Sequence, residues 1–387
     1  MNDIRAAVIG LGNMGTMHAN WLREGKVPGM QLAAICDSDP TKCARWPGVT
    51  SFTDSKALIR SGSVDAIIVA TPHRSHVDIG ADALANGLHV ICEKPIGVQI
   101  SDCRRFIAAY EARPNKKQVF AAMFQMRTNG TFAALRQLIA SGELGAIRRI
   151  NWIVTDWFRS EAYYASGGWR ATWAGEGGGV LLNQCPHNLD LIWWLFGQPR
   201  RVRAFCGLGT LHDIEVEDAV TAYLEWDSGA TGVFVTTTGE APGTNRLEIA
   251  AERGRVVIEG DKIHWTRNTV PISEYSRTTP HAFGTPPRWE IDVPSLPGTA
   301  SHVTVLINAV AAIRDGAQLV APASEGIHSI ELANAMLWSS ATNQTAELPL
   351  DAAAYDKYLA KLSAGSRLKT TPVAGTPTAD MAKSFTK

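Results

Sequence analysis

Between the apolar stretch Ala6-Ala7-Val8-Ile9 and a helical pattern over residues 14–25 stand Gly10-Leu11-Gly12-Asn13-Met14-Gly15, a junction that few folds accept. In that setting each glycine has its own task. The first permits a tight turn, the second lets backbone approach a pyrophosphate, and the third lets helix and strand pack closely, with phosphate charge at the helix N-terminus. Asn13 and Met14 lie in the same turn and join the glycines as candidate contacts. The next apolar run, QLAAIC, ends in Asp37, 22 residues after Gly15. That is the spacing of a carboxylate that accepts hydrogen bonds from ribose hydroxyls. Such a carboxylate repels a 2′-phosphate, and no arginine stands in the loop Ser38-Asp39-Pro40-Thr41, so NAD is expected ahead of NADP. The competing role for Asp37 is to cap the turn into Pro40.

The same texture continues along the first third. The apolar runs IRAAVIG, QLAAICD, VDAIIVAT, LHVICEK and QVFAAMF alternate with helical patterns over residues 14–25, 55–61, 76–86 and 100–113. Continuous apolar strands alternating with helices indicate a parallel sheet covered on both faces. The expected fold class is therefore α/β, with a doubly wound Rossmann domain over residues 1–123. Beyond it strands follow strands (IRRINWIVTDWF, RVRAFCGLG, AVTAYLEW, ATGVFVTTTG, NRLEIAAERGRVVIEG, KIHWTR), with turn residues such as Asp227-Ser228-Gly229 between them. This predicts a second, α+β domain over 124–368 with a mainly antiparallel sheet. Residues 271–298, rich in proline, serine and threonine, read as an extended loop, whereas VTVLINAVAAIRDG and HSIELANAMLWSSA read as helices. Residues 369–387 are poor in large apolar groups and read as a flexible tail or an arm on a neighbouring subunit.

Composition narrows the function classes. Of 387 residues 45% are hydrophobic, and 37 basic residues balance 37 acidic ones, so no net field draws the chain to nucleic acid or an anionic membrane. Neither a signal peptide nor a spanning helix is expected. Cys36, Cys43, Cys92, Cys103, Cys185 and Cys206 form no CxxC pair, and His73 and His76 have no partner at ligand spacing. No metal site is expected, and reduced thiols in a cytoplasmic protein are.

Two separated segments carry the candidate chemistry. The run LHVICEKPIG places Glu93-Lys94-Pro95 at the C-terminal edge of a parallel strand, where doubly wound sheets bind ligands. Taken alone, Glu-Lys-Pro is an ordinary solvated turn. The second segment runs from Gly177 through Asn183, Cys185, Pro186, His187 and Asp190. As one helix it would align Asn183, His187 and Asp190 on a face by spacings of four and three. Pro186 must either kink that helix or mark its first turn.

With these motifs in hand the chain resembles the Gfo/Idh/MocA family of oxidoreductases. The resemblance rests on GLGNMG, Asp37, ATPHRSH over 70–76, EKP at 93–95, residues 178–190, and the closing HSIELANAMLWSSA with ELPL. It implies an N-terminal Rossmann domain, a C-terminal domain on an open antiparallel sheet, and homodimers or homotetramers formed through that sheet. It implies oxidation of a hydroxyl on a sugar or cyclitol, or the reverse reduction, with Lys94 and His187 as acid-base groups. Thr71, Pro72, His73, His76, Glu93 and Lys94 fall at its cofactor edge, Trp169-Arg170 near the nicotinamide end, and Gln125 and Arg127 along the cleft. His73 replaces an asparagine common in the family. Asn183 replaces an aspartate and Cys185 commonly a glycine. A neutral amide at 183 removes an anion that would hold nearby cations protonated, so the acid-base group is expected to lose its proton more readily than in a typical relative. Asn183 is then expected to orient the substrate or His187.

The segment from Thr155 to Trp173 is dense in aromatics and arginine. Flat rings cover C–H patches of a polyhydroxylated ligand, which makes Trp157, Tyr163 and Trp173 candidate substrate contacts; the competing role is a hydrophobic plug between domains. The leading expectation is an NAD-dependent dehydrogenase acting on a ring hydroxyl of a sugar, glycoside or cyclitol. Two alternatives are a glycosidase using bound NAD for transient oxidation, without net NADH, and a non-catalytic sensor of the nicotinamide cofactor.

Overall fold

The computed structural model describes residues 2–367; the tail expected over 369–387 lies outside the described residues. The first part runs β1 (Ile4–Ile9), α1 (Asn13–Arg23), β2 (Met30–Cys36), α2 (Pro40–Cys43), β3 (Thr50–Phe52), α3 (Ser55–Ile59), β4 (Ala66–Val69), α4 (His76–Ala85), β5 (His89–Cys92), α5 (Ile100–Glu111) and β6 (Phe120–Ala122). Its strands pair in parallel in the order β3-β2-β1-β4-β5-β6. The order reverses at β1, so a crevice opens between the C-terminal ends of β1 and β4, where such sheets take ligands.

The β1–α1 junction shows why glycine is required there. Gly10 has φ +93°, and a Cβ on Gly15 would stand 1.7 Å from the Gly10 carbonyl oxygen. Helix and strand are in backbone contact at that point. A Cβ on Gly12, by contrast, meets no protein atom within 4 Å: the second glycine borders open space above the helix N-terminus.

The second part comprises α6 (Gly130–Ala140), β7 (Ile147–Val154), α7 (Glu161–Ala165), α8 (Val180–Asn183), α9 (Pro186–Phe196), β8 (Arg201–Leu208), β9 (Glu217–Glu225), β10 (Thr231–Thr237), β11 (Asn245–Ala251), β12 (Gly254–Glu259), β13 (Lys262–Asn268), α10 (Ile272–Thr278), β14 (Arg288–Val293), α11 (His302–Asp315), α12 (Ile327–Thr342), β15 (Ala346–Glu347) and α13 (Ala352–Ala364). The sheet order is β14-β13-β12-β11-β7-β10-β9-β8-β15, parallel between β7 and β10 and antiparallel elsewhere. One face is buried: Trp152 packs on Phe132 of α6, ring centroids 5.8 Å apart, and serines of α12 accept from the β8 backbone at Ala204 and Cys206. The other face is open, and Ile153, Phe205 and Tyr223 stand exposed on it.

Two sequence expectations change, and one left open at Pro186 is resolved. Residues 271–298 are not simply an extended loop, because they contain α10 and β14. β14 escapes notice because it is an edge strand bounded by Pro287 and Pro294, with mostly exposed side chains instead of an apolar run. The segment through Asn183 and His187 is not one helix. α8 ends at Asn183, and Pro186 opens α9 in its first turn, the position that proline tolerates. Finally, α11 lies far beyond Met123 in sequence yet packs Val305, Leu306, Ala309 and Val310 into one core with Ile4, Ala6, Val8 and Ile35. Residues that composition places in the second domain thus complete a face of the first sheet, beside α1. No helix among the described residues is long and apolar enough to cross a membrane.

The two glycines separate packing from ligand approach. Gly15→Ala forces a methyl against a backbone oxygen and is expected to cost about 3 kcal/mol or prevent folding. Gly12→Ala, in open space at φ −71°, is expected to cost at most about 1 kcal/mol. Denaturant unfolding midpoints of the two variants check this, and equal midpoints would show that the β1–α1 contact does not govern stability.

Candidate active site

Two adjoining cavities follow the C-terminal edge of the parallel sheet. The first, about 300 Å³, collects the ends of four strands: Gly10, Gly12, Asn13 and Met14 after β1, Asp37 after β2, Thr71, Pro72, His73 and His76 after β4, and Glu93 and Lys94 after β5. Trp169 and Arg170 close it from the second part of the chain. Of the cofactor residues expected from sequence, Gly15 alone is off this wall, behind Gly10. The empty space above Gly12 and the N-terminus of α1 fit a pyrophosphate.

Asp37 is held by its own loop. One carboxylate oxygen accepts from Leu11 N at 2.7 Å, the other from Asp39 N at 3.0 Å, and Lys42 Nζ lies 3.1 and 3.2 Å from the two. Turn capping and exposure to the cavity are therefore one arrangement. Lys42, one residue beyond the loop that lacks arginine, is a neighbour the sequence reading did not single out. His76 lies between two carbonyls, Nδ1 2.8 Å from Pro95 O and Nε2 2.8 Å from Thr71 O, and so ties the end of β4 to the Glu-Lys-Pro turn. His73 meets the Trp169 ring edge-on at 5.4 Å; burial first, then the neighbouring cations, hold its pKa well below 6.5.

The second cavity, about 400 Å³, shares Met14, Glu93, Lys94, Tyr163 and Asn183 with the first and adds Gln125, Trp157 and His187. Lys94 crosses the cleft, its Nζ donating to the Asn183 carbonyl at 2.6 Å. Burial lowers the Lys94 pKa from its ordinary 10.5, against the opposing pull of Glu93 and Glu176. His187, in the first turn of α9, lies with Nε2 3.2 Å from the Gln125 amide nitrogen, which donates to it. Its Nδ1 is buried and has no hydrogen-bond partner among the described residues. Burial, followed by the charge of Lys94, pushes the His187 pKa well below 6.5, so the ring is neutral.

Asn183 ties these groups together. Its Nδ2 donates to the buried Glu176 carboxylate, and its Oδ1 accepts from Gln184 Nε2 at 3.1 Å and Tyr163 OH at 3.4 Å. Arg170 donates to the Tyr163 oxygen at 3.0 Å. Glu176 also accepts from Ala171 N at 2.5 Å; burial raises its pKa, while Arg170 and these donors oppose the rise. The carboxylate that Asn183 lacks is thus supplied one side chain away by Glu176, which pulls the Lys94 pKa up while burial lowers it. An aspartate at 183 would face Glu176 directly, and one of the two would have to keep a proton. The only sequence signal for Glu176 is a lone carboxylate opening the run Glu-Gly-Gly-Gly.

Two expected substrate residues are elsewhere. Arg127 is buried, donating to Asp190 at 2.8 and 2.6 Å and pairing with Glu325. Removing one partner of such a pair typically costs about 3–5 kcal/mol, so Arg127 and Asp190 join α9 to the chain after β6 and do not face the cavities. Trp173 is buried, its N–H donating to Glu215 and its carbonyl accepting from Arg74. Sequence reasoning missed Met17 and Trp21 of α1, Met126 and His302, all on the second cavity's wall, where Arg159 of the aromatic and arginine-rich segment also lies. His18, also unforeseen, holds Glu93 at 2.8 Å. Among the described residues no group of three or more histidines, cysteines or carboxylates could hold a metal ion.

Comparison with known proteins agrees with this architecture. Residues 4–121 match the model of the oxidoreductase family with an NAD-binding Rossmann fold, and residues 132–257 that of the GFO/IDH/MocA C-terminal domain. The chain is 33% identical to the uncharacterized oxidoreductase YdgJ of Escherichia coli (strain K12), over 51% of this chain and 55% of that one; it spans little more than half of that relative. It is 29% identical to an inositol 2-dehydrogenase of Rubrobacter xylanophilus, over 66% of this chain and 71% of the relative. The WlbA dehydrogenase of Chromobacterium violaceum, solved with NADH and UDP-GlcNAcA, superposes with a TM-score of 0.77 at 26% identity, covering 91% of this chain and 97% of its own. With both family models matched in order, over a Rossmann sheet and the mixed sheet that follows it, the chain belongs to the Gfo/Idh/MocA oxidoreductases.

Proposed function

We propose that the chain is an NAD-dependent dehydrogenase that oxidises a ring hydroxyl of a sugar, glycoside or cyclitol, or reduces the corresponding ketone. The observation that carries this reading is the meeting of Lys94 and His187 in a cavity that opens from the cofactor crevice. Relatives named as inositol dehydrogenases support the substrate class. The crevice lined by Gly12, Asp37, Trp169 and Arg170 would hold NAD, which would supply the hydride acceptor. Lys94 takes the hydroxyl proton: burial lowers its pKa, and one N–H given to Asn183 O aims the rest of the nitrogen into the cavity. Neutral His187 lines the cavity beside Lys94, and a neighbouring substrate hydroxyl that displaces the Gln125 amide from its Nε2 gains an orienting hydrogen bond there. Asn183 positions Lys94 through its backbone, and Glu176 sets the amide that does so. The six free thiols, five of them buried, support the cytoplasmic reading.

The test is NADH absorbance with NAD and a panel of hexoses, glycosides and inositols. Turnover that falls at least a thousandfold in Lys94→Ala is expected. Silence across the panel, with NAD retained through purification, would replace this reading with the redox-neutral glycosidase or the sensor.

The pH dependence follows from the charges around Lys94. For oxidation, kcat/KM rises as Lys94 loses its proton, so the ascending limb lies below 10.5. Glu176 favours the ammonium; Glu176→Gln removes that anion and should move the limb to lower pH. A limb that stays in place, or moves up, would show that Lys94 is not the titrating base.

The open sheet face supports homodimers or homotetramers. Phe205 is 62% and Tyr223 43% exposed on neighbouring strands, an apolar surface of the kind that copies bury together. Tyr223→Glu is expected to lower the mass found by light scattering to that of one chain. A wild-type protein already of single-chain mass would refute the assembly.

A further inference from the structure

The second cavity has two chemically different ends, and from them we infer the substrate class: a hydroxylated ring that carries an apolar aryl or alkyl substituent, rather than a bare polyol. The inference rests on the dehydrogenase reading, since it names what the same cavity takes. At one end stand Lys94, His187, Gln125 and Asn183, all able to bond hydroxyls. The other wall is built from Met17 and Trp21 of α1, Met126 after β6, and Val303 at the start of α11. These segments meet there: Ser301 N donates to Thr128 Oγ1 at 3.1 Å, and the His302 and Trp21 rings lie 5.5 Å apart.

Polar atoms on that wall are few: Ser301 Oγ, the His302 ring nitrogens and the Trp21 indole N–H. Ser301 Oγ accepts from Thr304 N as the cap of α11. The His302 ring packs against Trp21 and His18, and burial lowers its pKa to about 4, which leaves it uncharged. The cation of Arg159 belongs to the polar side, donating to Phe158 O at 2.9 Å and lying 5.2 Å from the Tyr163 ring. A hydroxyl pressed against thioethers and an indole face would lose its water and gain no partner of equal strength. An aryl or alkyl group loses nothing there. Unbranched methionines adapt to its shape, and sulfur contacts aromatic edges favourably.

The experiment is calorimetric titration of the full chain, saturated with NADH, with phenyl and octyl glycosides and with the matching free sugars and inositols. The expected result is at least tenfold lower Kd for a glycoside than for its free sugar, with the ratio falling toward one in Met126→Gln. Equal or weaker glycoside binding, including none at millimolar concentration, would overturn the inference. So would tighter binding of a nucleotide sugar, which would assign the Trp21 wall to a base. Glycosides that bind selectively but yield no NADH when NAD is supplied would leave this inference standing and remove the dehydrogenase reading.

Discussion

An ammonium group buried at the end of β5 reaches across the cleft and donates to a backbone carbonyl at the end of α8. Much of the site follows from that contact. A cation in low dielectric needs anions nearby, and the molecule supplies two, both themselves buried. Glu93, next in sequence, is held by His18 of α1, and Glu176 is held by Ala171 N and the Asn183 amide. The backbone that accepts the ammonium and the side chain that fixes one counter-charge therefore belong to one residue. Asn183 suits that double role because an amide donates to a carboxylate without competing for its proton.

The two parts of the chain are not independent bodies joined by a cleft. One core runs from the parallel sheet beneath α3, α4 and α5 into the buried face of the second sheet. The opposite face of the parallel sheet is covered by α1 together with α11. Because α11 begins at His302, the same return of the chain that completes the first core also delivers one wall of the second cavity. Packing and cavity shape share an element, so changes near residues 300–303 act on both.

The clearest sequence signals were local ones. The glycine turn, Asp37, the Glu-Lys-Pro turn and the alternation of apolar runs report interactions made within a few residues, or periods imposed by the backbone. Arg127 shows the limit. It follows the last parallel strand by a few residues, as a cleft residue would, yet Asp190 and Glu325 draw its guanidinium inward. Trp173, likewise expected in the cavity, is buried, and Trp21, on a helix read only for its glycines, lines the cavity.

By itself, the sequence determined the Rossmann sheet, the mainly antiparallel second sheet, the cofactor edge and the two segments bearing Lys94 and His187, because strand and helix periods and glycine geometry are written along the chain. Tertiary structure alone decided that Glu176 stands behind Asn183, that α11 closes the first core, that β14 extends the second sheet with an exposed edge, and that methionines and Trp21 line the same cavity as Lys94 and His187. Most of these join residues from separate segments of the chain, and Glu176 reaches Asn183 only through the fold of the glycine run between them. Burial and partner choice among them depend on how the elements pack, and no local pattern encodes that.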